Sequence, residues 1–136
     1  MAAVAAIHPQ LRALGAHVLA VSTDSLYSHK VFAETSPSLR QVTYPLLSDR
    51  SLEVSRAYEV LDENTGAAFR ATLLIDPEGV IVSKVVYPKE VGRNMPEMVR
   101  LLQAVQFRRE TKLGVPANWV PGMPGISLSL NNAGKI

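Results

Sequence analysis

The sequence predicts an α/β domain, and three observations carry that expectation. Val18-Leu19-Ala20-Val21 is a short continuous apolar run ahead of a helix-capable segment, as in a strand buried on both faces. Arg70-Ala-Thr-Leu-Leu-Ile-Asp76 is a strand, and Asp76-Pro77-Glu78-Gly79 turns it into a second apolar run at 80–86. Proline at the second turn position and glycine at the fourth are the residues such a turn favours. Asn94 followed three residues later by Glu97 resembles a capping box, and Met95, Met98, Leu102 and Val105 then repeat at helical spacing.

Taken in order, residues 2–14 are rich in Ala and Leu and read as a helix despite Pro9, with Gly15 as its breaker. A strand follows over 16–22. Asp24 is placed to cap a helix over 25–34, which Thr35-Ser36-Pro37-Ser38 ends. Residues 44–49 form a short strand, 51–58 a short helix with Glu53 in its first turn, and 62–66 a polar turn. The hairpin over 70–86 and the helix opened by Asn94 come next. From 107 onward the chain reads as extended, interrupted by Pro116, Pro121, Gly122 and Pro124, and fraying at its end. A βα unit followed by a ββα unit is the ending of a thioredoxin-like fold. The expected division is a partial thioredoxin-like domain at 1–106 and an extended tail at 107–136 that packs on something larger.

Composition excludes several function classes. The chain has 136 residues, enough for one core, and charged residues make up 19%, as in an ordinary globular protein. Fourteen cations face twelve anions, and no basic run exceeds Arg108-Arg109, so a nucleic-acid footprint is not expected. There is no cysteine, which removes disulfides, thiolate metal sites and a cysteine nucleophile from these residues. No stretch approaches the roughly 20 apolar residues of a membrane span. The start of the chain lacks a basic region and is interrupted at His8-Pro9-Gln10, so a secretory signal is not expected. The expected location is the cytoplasm.

Four segments together resemble the peroxiredoxin (AhpC/TSA) family. They are His17-Val-Leu-Ala-Val-Ser-Thr-Asp-Ser25 with Ser28-His29, Arg70 through Gly79, Val85-Val-Tyr-Pro-Lys-Glu-Val-Gly-Arg-Asn94, and Pro116-Ala-Asn-Trp119 with Pro121-Gly122. Tyr87-Pro88, Gly92-Arg93-Asn94 and Pro116-Ala-Asn-Trp119 are more similar to the one-cysteine branch than to the two-cysteine branch. The resemblance implies thiol-dependent reduction of hydrogen peroxide and organic hydroperoxides, with no cofactor or metal. The family's nucleophile is a cysteine in Pro-x-x-x-Thr-x-x-Cys at the first turn of a helix. There the helix N-terminus and an arginine favour the thiolate, which attacks the peroxide.

The same resemblance implies that Met1 stands at the apolar position just after the reactive Cys-Pro-Thr-Glu turn, so the nucleophile is absent from this chain. Val115 stands where two-cysteine members carry a resolving cysteine. In the family, the strand before the reactive helix lies between the strands at 16–22 and 70–76. The chain is therefore expected to be an N-terminally truncated fold lacking that central strand. It should aggregate unless another segment supplies the strand. A selenocysteine codon upstream, read as a stop, is one expected origin of such a start; upstream DNA without an in-frame TGA after the family motif would exclude it.

The resemblance assigns Arg70 to the active-site arginine that holds the thiolate and the attacked oxygen, and Arg93 to a second arginine near the pocket. Arg70 suits that role as a permanent cation with a planar donor fork at a strand start; the other reading is a surface arginine at a strand edge. For Arg93 the other reading is a charge ahead of a helix cap, where a cation is mildly unfavourable. His8, His17 and His29 match no metal-ligand spacing and carry no expected chemistry, with His8 expected to be exposed. Asp24 and Asp76 read as a cap and a turn residue. Met95, Met98 and Trp119 read as packing residues, Trp119 at a subunit contact.

The function expected is therefore peroxidase chemistry without its nucleophile. The alternative is a non-catalytic module for oligomerisation or partner binding. Relatives dimerise through the outer hairpin strand, here residues 80–86, and through tail contacts, and a homodimer or larger homo-oligomer is expected.

Overall fold

The computed structural model describes residues 1–132 and Gly134. The chain forms two compact units, Met1–Arg93 and Asn94–Ile136.

The first unit begins with helix α1, Ala2–Ala13, which runs through Pro9. Gly15, at φ +75°, supplies the left-handed residue that ends it. Strand β1, Ala20–Ser22, runs parallel to β2, Leu46–Ser48, with Ala20 opposite Leu46 and Ser22 opposite Ser48. Helix α2, Leu26–Thr35, lies in the crossover between them, as a parallel pair requires. The strand expected over 16–22 shrinks to three residues because β2 offers only three ladder partners. The cap of α2 also differs from expectation. Ser25, not Asp24, accepts the Ser28 N–H at 3.1 Å, while the Asp24 carboxylate accepts the Ser22 hydroxyl at 2.8 Å.

Helix α3, Glu53–Ala57, follows β2. Asp49, buried at 3% exposure, accepts the N–H groups of Val54 at 3.1 Å and Ser55 at 2.7 Å and so satisfies orphan donors at the helix start. The expected polar turn at 62–66 closes a small hairpin of β3, Leu61–Asp62, and β4, Ala67–Ala68. Strands β5, Arg70–Ile75, and β6, Ile81–Tyr87, then form the longest ladder, antiparallel, from Arg70 opposite Tyr87 to Leu74 opposite Ser83. Asp76 Oδ1 accepts the Glu78 and Val80 N–H groups at 3.0 and 2.8 Å, so its expected role as a turn residue holds. Among the described residues β1 ladders only with β2 and β5 only with β6, leaving each with an open edge.

His8 departs from expectation. It lies inside the first unit at 7% exposure, because its position on α1 turns it toward Thr43 and Tyr44. Its Nδ1 lies 2.8 Å from Thr43 Oγ1, and its ring meets Tyr44 edge-on at 5.3 Å between centroids.

The second unit is helix α4, Met95–Thr111, and the segment that follows it. Asn94 caps α4 as expected, accepting the Glu97 N–H at 3.2 Å. The helix does not stop at 106. It continues through Phe107-Arg108-Arg109-Glu110-Thr111, where two cations in the last turn complement the helix dipole, and ends at Lys112 in the left-handed region. The following segment is not simply extended, since Gly114 and Ile126 exchange backbone bonds of 2.7 and 2.8 Å in an antiparallel bridge. Trp119, at 2% exposure, packs against Phe107 at 5.0 Å and donates its Nε1–H to the Met123 carbonyl at 2.9 Å. Its packing role stands, but an indole so covered leaves no face for a subunit contact. A single 3-10 turn, Leu130–Asn132, follows. The fraying expected at the end falls on residues 133, 135 and 136, which lie outside the described residues. Among the described residues no helix is long and apolar enough to cross a membrane.

Candidate functional site

Arg70 is the first residue of β5 and faces Tyr87, the last residue of β6, across the ladder. Its Nε donates to the Lys89 carbonyl, which anchors the stem, while the side chain stays exposed. Arg93 lies past the end of β6 and turns back to donate its Nη2–H to the Ala71 carbonyl at 2.9 Å. Both arginines are thus held by backbone carbonyls at the same end of one hairpin.

Burial is the largest influence lowering the Arg93 pKa, and the Arg70 charge adds to it; Tyr44 and Tyr87 act in the opposite direction. Arg93 Nε is buried and has no hydrogen-bond partner among the described residues. No carboxylate among them bridges either guanidinium.

Tyr44 is bound to the first helix. Sitting just ahead of β2 and almost fully buried, it donates its hydroxyl to the Met1 carbonyl at 3.0 Å. Met1 is the N-cap of α1, and its carbonyl also accepts from Val4 and Ala5. Burial raises the Tyr44 pKa, and the Arg93 charge opposes the rise. A helix N-terminus presents unpaired N–H groups and a positive dipole end, so the helix and the arginines favour negative charge alike.

The structure places Arg70 at the Tyr87 end of the β5–β6 ladder and ties Arg93 to the carbonyl of the next residue, Ala71. Tyr87 was visible in the sequence only as part of a motif. Tyr44 carried no functional signal, since a tyrosine before a short strand is an ordinary packing residue. The histidines do not join the site. His17 is exposed, His8 packs on Tyr44, and His29 places Nε2 2.7 Å from Ser22 Oγ. No group of three or more His, Asp or Glu side chains among the described residues could hold a metal.

Comparison with known proteins places the chain in a family. The AhpC/TSA family profile matches residues 1–84. The chain belongs to the AhpC/TSA family. Peroxiredoxin 2 of Thermoplasma acidophilum is 38% identical over 121 residues, covering 88% of this chain and 61% of the relative. Alkyl hydroperoxide reductase C of Amphibacillus xylanus is 37% identical over 130 residues, covering 95% of this chain and 69% of the relative. Among solved structures, the reduced 2-Cys peroxiredoxin of Plasmodium vivax superposes with a TM-score of 0.90 at 27% identity, over 94% of this chain and 67% of that one. AhpC of Enterococcus faecalis superposes with a TM-score of 0.81 at 36% identity, over 85% of this chain and 69% of that one. The thioredoxin-like fold of the peroxiredoxins is thereby established. The chain spans 61% of the length of the Thermoplasma relative.

Proposed function

We propose that residues 1–136 carry the arginine side of a hydroperoxide-reducing site, and that thiol-dependent peroxide reduction needs a nucleophile these residues do not contain. The observation that supports this reading is the placement of Arg70 at the Tyr87 end of the β5–β6 ladder with Arg93 bonded to the adjacent Ala71 carbonyl, in a chain with no cysteine. In the proposed reaction a thiolate sulfur, or a selenolate, attacks one peroxide oxygen. A bond from that sulfur or selenium to oxygen forms, the O–O bond breaks, and water or an alcohol leaves once protonated. A second thiol then condenses with the sulfenic (or selenenic) acid, forming a disulfide (or selenenylsulfide) and releasing water. A further thiol displaces the nucleophile by exchange, leaving the two reductant sulfurs as a disulfide. Arg70 and Arg93 stabilise the attacking anion and the negative charge that develops on the leaving oxygen. Cytoplasmic action with a thiol reductant belongs to the same proposal.

A peroxide-consumption assay with a dithiol tests the reading. The purified 136-residue chain should consume peroxide no faster than buffer. A chimera placing a family Thr-x-x-Cys segment ahead of Met1 should gain activity and lose most of it on Arg70→Met. Peroxidase turnover by the chain alone would refute the reading, as would a well-folded active chimera indifferent to Arg70.

A second reading, a non-catalytic module that assembles copies of the chain, is favoured by the exposed apolar residues Val80, Ile81, Val82 and Val86 on and beside β6. Sedimentation would separate the two. A homodimer lost on Val82→Lys, in a chain whose chimera never gains activity, would select the module.

A further inference from the structure

The chain holds four methionines and no cysteine, so thioethers are its oxidisable sulfurs. Two of them are shielded on α4, where Met95 is 8% exposed and Met98 is partly covered. Met123 differs. It stands in the second unit at 42% exposure, in a loop whose neck is closed by the Gly114–Ile126 bridge. Two turns shape that loop. The Trp119 N–H donates to the Pro116 carbonyl at 3.2 Å, and the Met123 N–H to the Val120 carbonyl at 3.1 Å. Gly122 takes φ +97° just ahead of Met123, a conformation only glycine adopts readily. The Met123 carbonyl then accepts the Trp119 indole N–H at 2.9 Å, while Arg100 on α4 donates Nη1–H to the Trp119 carbonyl at 3.0 Å. Met123 therefore has an exposed side chain and a backbone that caps a buried indole.

We infer that Met123 is an oxidation site for hydroperoxides and that its oxidation state is passed to Trp119. The thioether sulfur attacks one oxygen of the hydroperoxide. An S–O bond forms, the O–O bond breaks, and the leaving oxygen takes up the hydroperoxide's proton and departs as water or an alcohol. The thioether is an apolar group and a weak acceptor, whereas the sulfoxide is polar and restorable by dedicated reductases. The new oxygen draws water to the 120–123 turn and competes with the Met123 carbonyl for the indole N–H. A buried N–H that loses its acceptor is costly, so the loop opens around Trp119. This goes beyond the proposed peroxidase reading. It consumes one peroxide per side chain, without turnover and without any nucleophile from outside residues 1–136.

The test incubates the intact 136-residue chain with hydrogen peroxide. Peptide mass mapping locates the added oxygen while the emission of the chain's single tryptophan is followed. Met123 should be oxidised on the order of tenfold faster than Met95, because susceptibility follows exposure. The Trp119 emission should move to longer wavelength in step with Met123 oxidation. It should not follow Met1, which is 44% exposed but belongs to the first unit. Met123→Leu, a volume-conserving change at an exposed position, should abolish the shift, and Met98→Leu should keep it. The two methionine sulfoxide reductases, one for each epimer, should return the emission to its starting wavelength. Oxidation of Met95 or Met98 ahead of Met123 overturns the inference. So does oxidised Met123 with unmoved emission, or a shift that survives in Met123→Leu. Neither dithiol nor chimera enters this test, so its failure leaves the peroxidase reading standing, and an inactive chimera leaves the Met123 result standing.

Discussion

Arg93 reaches across 22 positions to donate to the carbonyl of Ala71, the residue directly after Arg70, at 2.9 Å. That bond fastens the end of the first unit onto β5 and sets one arginine beside the other. Arg93→Met removes it but also removes a buried, unpartnered Nε, so the two effects partly offset. The expected net loss is about 1 kcal/mol, below the roughly 1.5–3 kcal/mol of an ordinary hydrogen bond to a charged group, measured as a shift in the urea midpoint. Arg93→Lys should not restore the loss, because an ammonium lacks the planar fork.

Asp49 should give the first unit a dependence on acid. Burial alone would raise its pKa, but hydrogen bonds from Ser55 and Val54 outweigh it and hold the carboxyl below its ordinary value of 3.8. A group with a lowered folded pKa adds stability that is complete above the unfolded value and disappears as pH falls through the folded one. The stability difference between the wild type and Asp49→Ala should therefore be full at pH 7 and shrink steadily below pH 3.8. Urea titrations of both proteins across that range check it, and a difference that grows with acid would contradict the assignment.

In the second unit, Trp119→Ala should be the most damaging single truncation, at about 3–5 kcal/mol for a fully buried large aromatic. It also leaves the Met123 carbonyl without the indole N–H. Gly125→Ala tests the same packing from the other side. A methyl there would lie 2.7 Å from both Leu113 Cβ and Phe107 Cε1, so the segment must move to admit it. Both variants should lower the thermal midpoint, and Gly125→Ala should also red-shift the fluorescence of Trp119, the chain's single tryptophan.

The open edges of β1 and β5 should make the isolated chain self-associate. Leu19 and Val21 are 61% and 42% exposed on and beside β1, and Leu47 on β2 is 42% exposed. Unpaired strand edges beside exposed apolar side chains template pairing with other chains. Light scattering should rise with concentration for the wild type, and Val21→Lys should suppress it by placing a charge on the edge. Scattering that is unchanged by the substitution would place the association elsewhere.

What was legible in the sequence was local. The Asp76–Gly79 turn and the Asn94 cap follow from hydrogen bonds spanning two to four residues, and both formed as read. Even within that range, one role fell to the neighbouring residue. Ser25 took the cap expected of Asp24, because the Ser22 hydroxyl claimed the Asp24 carboxylate. The length of α4 was underestimated because prolines after 111 made the whole tail look extended, while 107–111 carries no breaker.

By itself the sequence determined the family and the absence of a thiol. Only the tertiary structure decided that Arg93 bonds the carbonyl directly after Arg70, and that Tyr44 is tied to α1 through a contact 43 residues apart in the chain. It also decided that His8 is buried and that Asp49 holds the start of α3. The reason is physical. Turns and caps are set by neighbours a few bonds away, whereas the surroundings of a buried tyrosine or an unpaired arginine depend on which distant segments pack against it, and composition and periodicity do not encode that choice.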